Sequence, residues 1–186
     1  MKFLCAMLLA SLLSFTQDDK QDLIAWSANY KLQWQDFKGN AQGGSTLKAM
    51  TWSTIKTENF KATANNITLT ISASFIKKQS WKQKEINNAD LLTHEQIHFD
   101  ITEVYARKLR QKISEAKFSN PKQAAQEIGK LSNEIFRESS AEQKKYDAET
   151  KHSINKEAQT KWNKSVESEL ERLNAYSNTQ LNLNIK

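Results

Sequence analysis

The chain has 186 residues, a formal net charge of +6 and a single cysteine. Hydrophobic residues make up 38% of the sequence and charged residues 26%, which is typical of a globular protein and excludes a disordered one. The basic residues are spread among acidic ones without a long basic tract, so they indicate solvated helix faces. We therefore expect no nucleic-acid partner.

The first 16 residues form a segment of a different kind. Lys2 precedes an apolar run over residues 3–15 that is too short to span a bilayer and is typical of a signal peptide. We predict a signal peptide over residues 1–16, a single mature domain over residues 17–186, and no stable membrane span after cleavage. Cys5 lies in the apolar run, so the mature chain would have no thiol ligand, disulfide or cysteine nucleophile. This pattern favours a secreted or periplasmic bacterial protein.

Residues 17–86 are predicted to be rich in β-structure. Apolar and polar residues alternate over residues 31–35, as in a half-buried strand. Two longer strands are expected over residues 47–56 and 67–77, with a turn at residues 62–66. The second of these strands carries apolar residues at a period of two: Ile67, Leu69, Ile71 and Phe75.

Residues 87–186 are predicted to be helical, since the chain has one proline and four glycines. Asn88 is placed to cap a first helix, and Asn120 with Pro121 marks the start of a second. A third helix follows the neighbourhood of His152. The polar segment from residue 174 onwards is expected to fray.

Residues 94–98 form the motif His-Glu-x-x-His on the first of these helices. At about 100° per residue, His94 and His98 lie roughly 40° apart on one helical face, so both imidazoles can bind one tetrahedral metal ion. Glu95 lies beside them, where its carboxylate can accept a proton from water. The opposite arc of the helix is polar, which predicts a helix packed along one face. Its members are Gln96, Asp100, Glu103, Arg107 and Arg110.

A catalytic zinc site needs a third protein ligand and a position for water. Glu103 is nine residues after His94, roughly 180° around the helix, and is therefore not favoured. His152, the remaining histidine of three, lies where the second helix gives way to the third and is the favoured ligand. The acidic alternatives stay open: Asp147, Glu149 and Glu142.

Two further residues near His152 have predicted roles. Tyr146 is the first choice for a phenol that stabilises an oxyanion. Asp147 is placed to accept a hydrogen bond from the distal nitrogen of a ligating histidine, which would fix the tautomer of that ring.

Several segments together carry a resemblance to a known family. They are residues 32–39, 80–81 and 92–101, followed by Glu103, Ala106, Arg107, Tyr146, Asp147, Thr150, His152, Gln159 and Trp162. In these segments the chain resembles a bacterial domain-of-unknown-function family that is commonly described as predicted secreted zinc-dependent proteases. The resemblance implies peptidase chemistry and supports His152 as a ligand. The family pattern often has glycine after that histidine, where this chain has Ser153.

The combined prediction is a zincin-like α+β domain in which a small antiparallel N-terminal sheet packs on the metal-binding helix, with two further long helices. Zn²⁺ would be held by His94, His98 and His152, with Glu95 as general base and Tyr146 beside the open position. The substrate would be a peptide or protein, bound along an exposed sheet edge. The alternative prediction is an exported, non-catalytic module on the same scaffold that binds a metal or another protein.

Overall fold

The computed structural model describes residues 22–41 and 45–185. These residues form an α+β structure with three helices and small antiparallel sheets, as predicted. The strands are β1 (Leu23–Ala25), β2 (Ala49–Met50), β3 (Ser53–Ala62), β4 (Asn66–Ile76), β5 (Trp81–Lys82) and β6 (Gln180–Asn184). The helices are α1 (Ala89–Glu115), α2 (Pro121–Thr150) and α3 (Lys156–Arg172). The predicted signal peptide lies outside the described residues.

Strand β4 is the centre of the larger sheet. It pairs with β3 along one side, while β1 and β6 pair with different parts of its other side, all antiparallel. The alternation predicted for this strand is confirmed, because its inward side chains are almost completely buried against α1. These side chains are Ile67, Leu69, Ile71, Ala73 and Phe75.

The smaller sheet, β2 with β5, lies next to the N-terminal part of α1. Gly39 joins it through a parallel bridge to Trp81, with its N–H 2.8 Å from the carbonyl of Ser80. A Cβ atom at Gly39 would lie 2.7 Å from the carbonyl oxygen of Lys78, so only glycine permits this approach of the two backbones. The hydroxyl of Thr51 donates to the carbonyl of Glu95 at 3.0 Å, which fixes the chain after β2 against α1.

Helix α1 begins as predicted, with the side chain of Asn88 accepting a hydrogen bond from Leu91 N–H at 2.8 Å. The prediction that α1 is packed along one face is wrong. The polar arc formed by Gln96, Asp100, Glu103, Arg107 and Arg110 is also buried. The physical reason is that the sheet, α2 and α3 all contact α1, so its polar side chains find partners inside the protein.

Helix α2 begins at Pro121, within the predicted helix start, and the side chain of Asn120 caps it by accepting from Gln123 N–H at 2.9 Å. Helix α3 is capped by Asn155, whose side chain accepts from Ala158 N–H at 3.2 Å. The turn between them contains three consecutive non-glycine residues with positive φ, at 50°, 51° and 71° for Lys151, His152 and Ser153. Each such residue is energetically unfavourable, so the turn that carries His152 is a strained segment.

Three secondary-structure predictions are corrected. Residues 31–35 form no strand; instead Trp34–Asp36 is a short 3₁₀ helix, because Gln33 N–H bonds to the Asp36 carboxylate at 2.8 Å and closes a local turn. The strand expected over residues 47–56 is divided between β2 and β3, which pair with different partners. The segment expected to fray contains β6, because β4 offers it a free edge.

Among the residues that the structure describes, no helix has both the length and the apolar character needed to cross a membrane.

Candidate metal centre

Three histidine nitrogens surround one carboxylate oxygen of Asp147. The Oδ1 atom of Asp147 is 3.2 Å from Nε2 of His94, 3.0 Å from Nε2 of His98 and 3.2 Å from Nδ1 of His152. The two Nε2 atoms of His94 and His98 are 3.2 Å apart. Four potential ligand atoms therefore converge from three separate segments of the chain.

The secondary structure explains this convergence. His94 and His98 are one turn apart on α1, and their rings meet edge to face with centroids 4.8 Å apart. Asp147 lies in the last turn of α2, which packs against α1. His152 follows in the strained turn, and its side chain is 53% exposed whereas that of His94 is 2% exposed. The helices thus position the buried ligand atoms, and the turn adds an accessible one.

The distal nitrogen of His98 is held by Gln143 on α2. Nε2 of Gln143 donates to the carbonyl of His98 at 2.9 Å, so Oε1 of Gln143 is the atom that faces Nδ1 of His98 at 2.5 Å. Because an amide oxygen only accepts, Nδ1 of His98 must carry the proton. In the neutral ring, Nε2 therefore directs a lone pair at Asp147, whereas in the protonated ring Nε2 donates a hydrogen bond to it.

The distal nitrogen of His94 is held in the same way by Gln159 on α3. Oε1 of Gln159 is 3.1 Å from Nδ1 of His94, and Nε2 of Gln159 donates to the hydroxyl of Tyr146 at 2.7 Å. The Tyr146 hydroxyl is also within reach of the His94 carbonyl, at 3.2 Å. This arrangement leaves Nδ1 of His94 as the donor and turns its Nε2 lone pair towards Asp147.

The consequence is electrostatic. Two neutral imidazoles and a carboxylate would place lone pairs against one another at 3.0–3.2 Å, which is unfavourable in a buried site. A proton or a metal cation among these atoms removes the repulsion. The ligand atoms of a metal ion bound at about 2.0–2.2 Å in a tetrahedral site lie roughly 3.3–3.5 Å apart. That separation is close to the 3.0–3.2 Å between Asp147 Oδ1 and each histidine nitrogen and to the 3.2 Å between the two Nε2 atoms. His94, Asp147 and His152 therefore form a group that fits a metal ion.

In the metal-free site, the pKa values of His98 and Asp147 are shifted in the directions that favour a proton on His98 next to an ionised Asp147. Burial lowers the pKa of His98, but its hydrogen bond to Asp147 and the charges of Glu95 and Asp147 outweigh this, and the pKa is raised from 6.5. Burial also works against ionisation of Asp147, yet hydrogen bonds from His94 and His98 hold the pKa of its carboxyl well below the usual range. The site is thus built to keep a negative charge at Asp147 next to a positive one.

Glu95 lies beside the histidines and has a buried carboxylate oxygen with no partner. Among the described residues, Oε2 of Glu95 is the buried side-chain polar atom for which no hydrogen bond is made. A buried carboxylate oxygen without a partner is unfavourable, so its persistence points to a role with a water molecule or a ligand. Glu95 lines the same groove as His94 and His98, as the motif requires.

Tyr146 is placed differently from its predicted role. Its side chain is completely buried, its ring stacks on that of His94 with centroids 4.6 Å apart, and its hydroxyl contacts Gln159 and the His94 carbonyl. Burial raises the pKa of its hydroxyl strongly. Through these contacts Tyr146 orients His94. They do not support the predicted role of its hydroxyl beside a bound oxyanion.

The remaining acidic candidates are elsewhere. Glu103 pairs with Arg107 at 2.9 Å and with Arg110 at 2.6 Å, on the far side of α1 as the helical wheel predicts. Glu149 accepts from the indole N–H of Trp162 at 2.8 Å, and it lines a separate groove together with Glu142. Asp147 is therefore the acidic candidate that reaches the histidines. At His94 and His98 it contacts Nε2, opposite the nitrogens held by the two glutamines, and at His152 it contacts Nδ1.

A groove of about 560 Å³ opens over the site. One wall is the segment 46–51, which includes β2, and the other is the strained turn with the start of α3. Apolar side chains and three lysines line it around the histidines: Leu47, Met50, Ile86, Leu91, Ile154, Lys48, Lys151 and Lys156.

The residues that the sequence analysis missed are the two glutamines. Gln159 appears among the residues that carry the family resemblance, but nothing in its local sequence assigns a contact with His94. Gln143 lies one helical turn before Asp147, so the two share a face of α2. That spacing could have identified Gln143 once Asp147 was placed at the site.

Comparison with known proteins places the chain in a family without assigning an activity. Residues 13–153 match a family described as bacterial protein of unknown function (DUF922). No curated protein and no solved structure matches the chain. Within the matched residues lie the histidine motif, Gln143, Asp147 and His152, whereas Gln159 lies beyond them. Because the match spans more than half of the chain, the protein belongs to the DUF922 family of bacterial proteins.

Proposed function

We propose that this protein is an exported, zinc-dependent hydrolase of peptide bonds with a zincin-like arrangement of its active site. The observation that carries the proposal is the convergence of three imidazole nitrogens on Asp147 Oδ1, at 3.0–3.2 Å, beside a buried and unpartnered Glu95 carboxylate. His94, Asp147 and His152 form a group that can hold a metal ion, and His98 approaches the same carboxylate oxygen.

The donor chemistry favours zinc among the common metals. Imidazole nitrogens with one carboxylate oxygen suit Zn²⁺, whereas Ca²⁺ and Mg²⁺ prefer sites made of oxygen. Such a zinc ion supplies Lewis acidity, which lowers the pKa of water and polarises a carbonyl group. In this assignment His94, His98 and His152 hold the metal. The catalytic assignment requires that Asp147 leave the fourth position to water.

Glu95 is assigned the proton transfers. Its free Oε2 atom accepts a proton from the attacking water and afterwards delivers it to the amine of the leaving peptide. Burial of this carboxylate next to the histidines keeps bulk water away from the transferred proton. A general base of this kind contributes roughly 10²–10⁴-fold to a rate.

Strand β2 supports an extended peptide as the substrate. Gln83 N–H donates to the carbonyl of Lys48 at 2.8 Å, and Met50 pairs with Trp81. Since bonded and non-bonded pairs alternate in an antiparallel ladder, the backbone groups of Ala49 point away from β5. Ala49 lines the groove, so an extended peptide can add to this edge.

A non-catalytic metal site is the second candidate, and Asp147 favours it. Structural zinc sites are closed by four protein ligands, and Asp147 with the three histidines would supply four. In such a site a buried Glu95 without a partner serves no purpose. The two candidates therefore differ in what Glu95 does, while both require the metal.

Export rests on residues 1–16, whose basic start and apolar run are those of a signal peptide. Recovery of the native protein from the bacterial periplasm or culture medium, without these residues by mass spectrometry, is the expected result. Full-length protein confined to the cytoplasm would contradict it.

The test of the proposed function combines metal analysis with a Glu95→Gln variant. We expect about one zinc per chain in both proteins. Cleavage of an unstructured protein such as casein should fall by at least roughly 10²-fold in the variant, because the general base is lost. Thr93→Ala, two positions before Glu95 on α1, is the matched control and should retain both properties.

Zinc in both proteins with no cleavage in either would favour the structural candidate. Absence of zinc from a wild-type protein that also fails to take up added zinc would contradict both candidates.

A further inference from the structure

We propose that helix α3, which lies beyond the part of the chain that matches the family, completes the metal centre through Gln159. In this inference Gln159 is a positioning residue: it holds the ring of His94 in the orientation and tautomer that presents Nε2 to the metal. The inference rests on the proposed metal site but not on peptidase activity, so it is tested by metal binding and by the metal-free protein.

Both the oxygen and the nitrogen of the Gln159 side-chain amide have hydrogen-bond partners. Its Oε1 faces Nδ1 of His94 at 3.1 Å, and its Nε2 donates to Tyr146 Oη at 2.7 Å and to Asn163 Oδ1 at 2.8 Å. The residue is buried. Its Oε1 is also 3.0 Å from the Tyr146 hydroxyl, so both ends of the amide have partners and the acceptor end faces His94 and Tyr146.

Tyr146 reinforces the same orientation from α2. Its ring stacks on His94, and its hydroxyl can donate to the His94 carbonyl while it accepts from Gln159. Without the Gln159 acceptor, the N–H of His94 would be buried and unpaired in one tautomer. The ring would gain by moving that proton to Nε2, where it would block metal binding.

His98 provides an internal comparison. Gln143 holds its Nδ1 from α2, within the matched residues, as Gln159 holds Nδ1 of His94 from α3. The two metal-binding imidazoles thus have the same kind of partner, supplied by two different helices. A site that lacked α3 would keep the support of His98 and lose that of His94.

Helix α3 is itself fixed to the rest of the protein by buried polar contacts. Arg107 on α1 donates to the carbonyl of Leu170 at 2.6 Å, and the indole of Trp162 donates to Glu149 on α2 at 2.8 Å. These contacts hold α3 at Trp162, one turn after Gln159, and at Leu170, near its C-terminal end. The packing of α3 on α1 and α2 therefore positions the Gln159 amide.

The experiment compares zinc affinity in Gln159→Met and Gln159→Glu, measured by competition with a chromogenic chelator. Methionine has a similar size but offers no comparable acceptor, and loss of such an outer partner typically weakens metal affinity by roughly 10–100-fold. Glutamate restores an acceptor oxygen for His94, so we expect most of the wild-type affinity to return.

Two further measurements separate positioning from general stability. Val166→Ala removes buried apolar atoms from α3 without touching the site; it should lower the melting temperature but leave zinc affinity unchanged. In the metal-free protein, the ¹⁵N chemical shifts of the His94 ring should report a protonated Nδ1 in the wild type and in Gln159→Glu. In Gln159→Met they should report loss of that tautomer.

Wild-type zinc affinity in Gln159→Met would overturn the inference, as would equal losses in the Met and Glu variants. An unchanged His94 tautomer in metal-free Gln159→Met would overturn it independently. If the wild type bound no zinc, the proposed function would fail, while the tautomer measurement would still decide whether Gln159 positions His94.

Discussion

At the scale of single residues, the most consequential contact is that of Asp147 with the three histidines. The carboxylate is 3.0 Å from Nε2 of His98. The negative charge of Asp147 and the positive charge of a protonated His98 therefore stabilise each other. In the metal-free protein this pair should make stability depend on pH. Its pH window follows from the directions of the two pKa shifts.

The contributions of His98 and Asp147 to stability are lost at opposite ends of the pH range. The pKa of His98 is raised above 6.5, so its contribution is fully present below about pH 6.5 and is lost as pH rises through the folded value. The pKa of Asp147 is lowered below 3.8, so its contribution is present above about pH 3.8 and is lost as pH falls through the folded value. The pair therefore stabilises most between these limits.

We predict that Asp147→Asn reduces this pH dependence. In chelator-treated protein, the free energy of unfolding of the wild type should fall between about pH 5.5 and pH 8 by more than that of Asp147→Asn. Urea denaturation at the two pH values measures the difference. Identical slopes in the two proteins would show that the His98–Asp147 pair does not govern the titration.

Ser153 allows a second prediction at this scale. Its φ is 71°, where glycine has no steric penalty, so Ser153→Gly should raise the free energy of unfolding by about 1 kcal/mol. Ser177→Gly is the matched control, because its φ of −72° is ordinary and glycine there should destabilise by about 0.5–1 kcal/mol. Urea denaturation measures both, and a destabilised Ser153→Gly would mean that the turn is not strained.

The individual site residues differ in how well the sequence could predict them. His94, Glu95 and His98 follow from local helical geometry, which fixes their relative positions without any tertiary information. Gln143 and Gln159 could not be assigned, because their roles arise only when α2 and α3 pack on α1. Tyr146 was assigned to the correct neighbourhood, but the direction of its hydroxyl depends on a buried partner on α3.

At the scale of the elements, α1 connects the metal centre to a buried ion cluster. Oε1 of Glu103 accepts from Arg107 at 2.9 Å and from Arg110 at 2.6 Å. Arg110 also donates to the carbonyls of Ile71 and Tyr176, at 2.8 and 2.5 Å. One carboxylate thus supports two guanidinium groups that join α1 to the sheet and to the C-terminal segment.

We predict that Glu103→Ala lowers the free energy of unfolding by about 3–5 kcal/mol, because two buried cations lose their counter-charge. Glu169→Ala is the control; it removes a surface bridge to Arg172 and should cost no more than about 1 kcal/mol. Denaturant titration of both variants gives the comparison. Similar small losses would indicate that water enters and solvates the two arginines.

The elements themselves were predicted where the signal is local. The structure has the cap Asn88, the helix start at Asn120 and Pro121 and the alternation of β4, which are all properties of short stretches. The polar arc of α1 was predicted to face solvent because a sequence does not reveal that polar residues have buried partners. Four residues of that arc bond groups distant in sequence, and Glu103 pairs with two arginines of the arc itself.

At the scale of the whole molecule, the C-terminal strand closes the sheet that begins near the N-terminus. Strand β6 pairs with residues 66–70 of β4, and Leu181 and Leu183 pack against the core. The five residues of β6 alternate polar and apolar side chains, but such a short pattern does not show which strand they would pair with. The backbone hydrogen bonds to β4 stabilise this segment as a strand.

We predict that truncation after Ser177 lowers the free energy of unfolding by roughly 3 kcal/mol, the scale of two leucine side chains removed from partial burial. The exposed edge of β4 should also promote association, detected as a concentration-dependent increase in mass by light scattering. Replacement of residues 178–186 by a glycine-serine segment of equal length controls for chain length. A stable, monomeric truncated protein would contradict this role for β6.

The burial of α1 also determines which substitutions the protein can tolerate. Seventeen of its 27 residues are buried, whereas six of the 30 residues of α2 are. In a saturation mutagenesis experiment, tolerated positions on α2 should recur with the helical period of about 3.6 residues. On α1 that periodicity should be nearly absent, since sequence variation is restricted by the core and metal site on one side and by buried charge on the other.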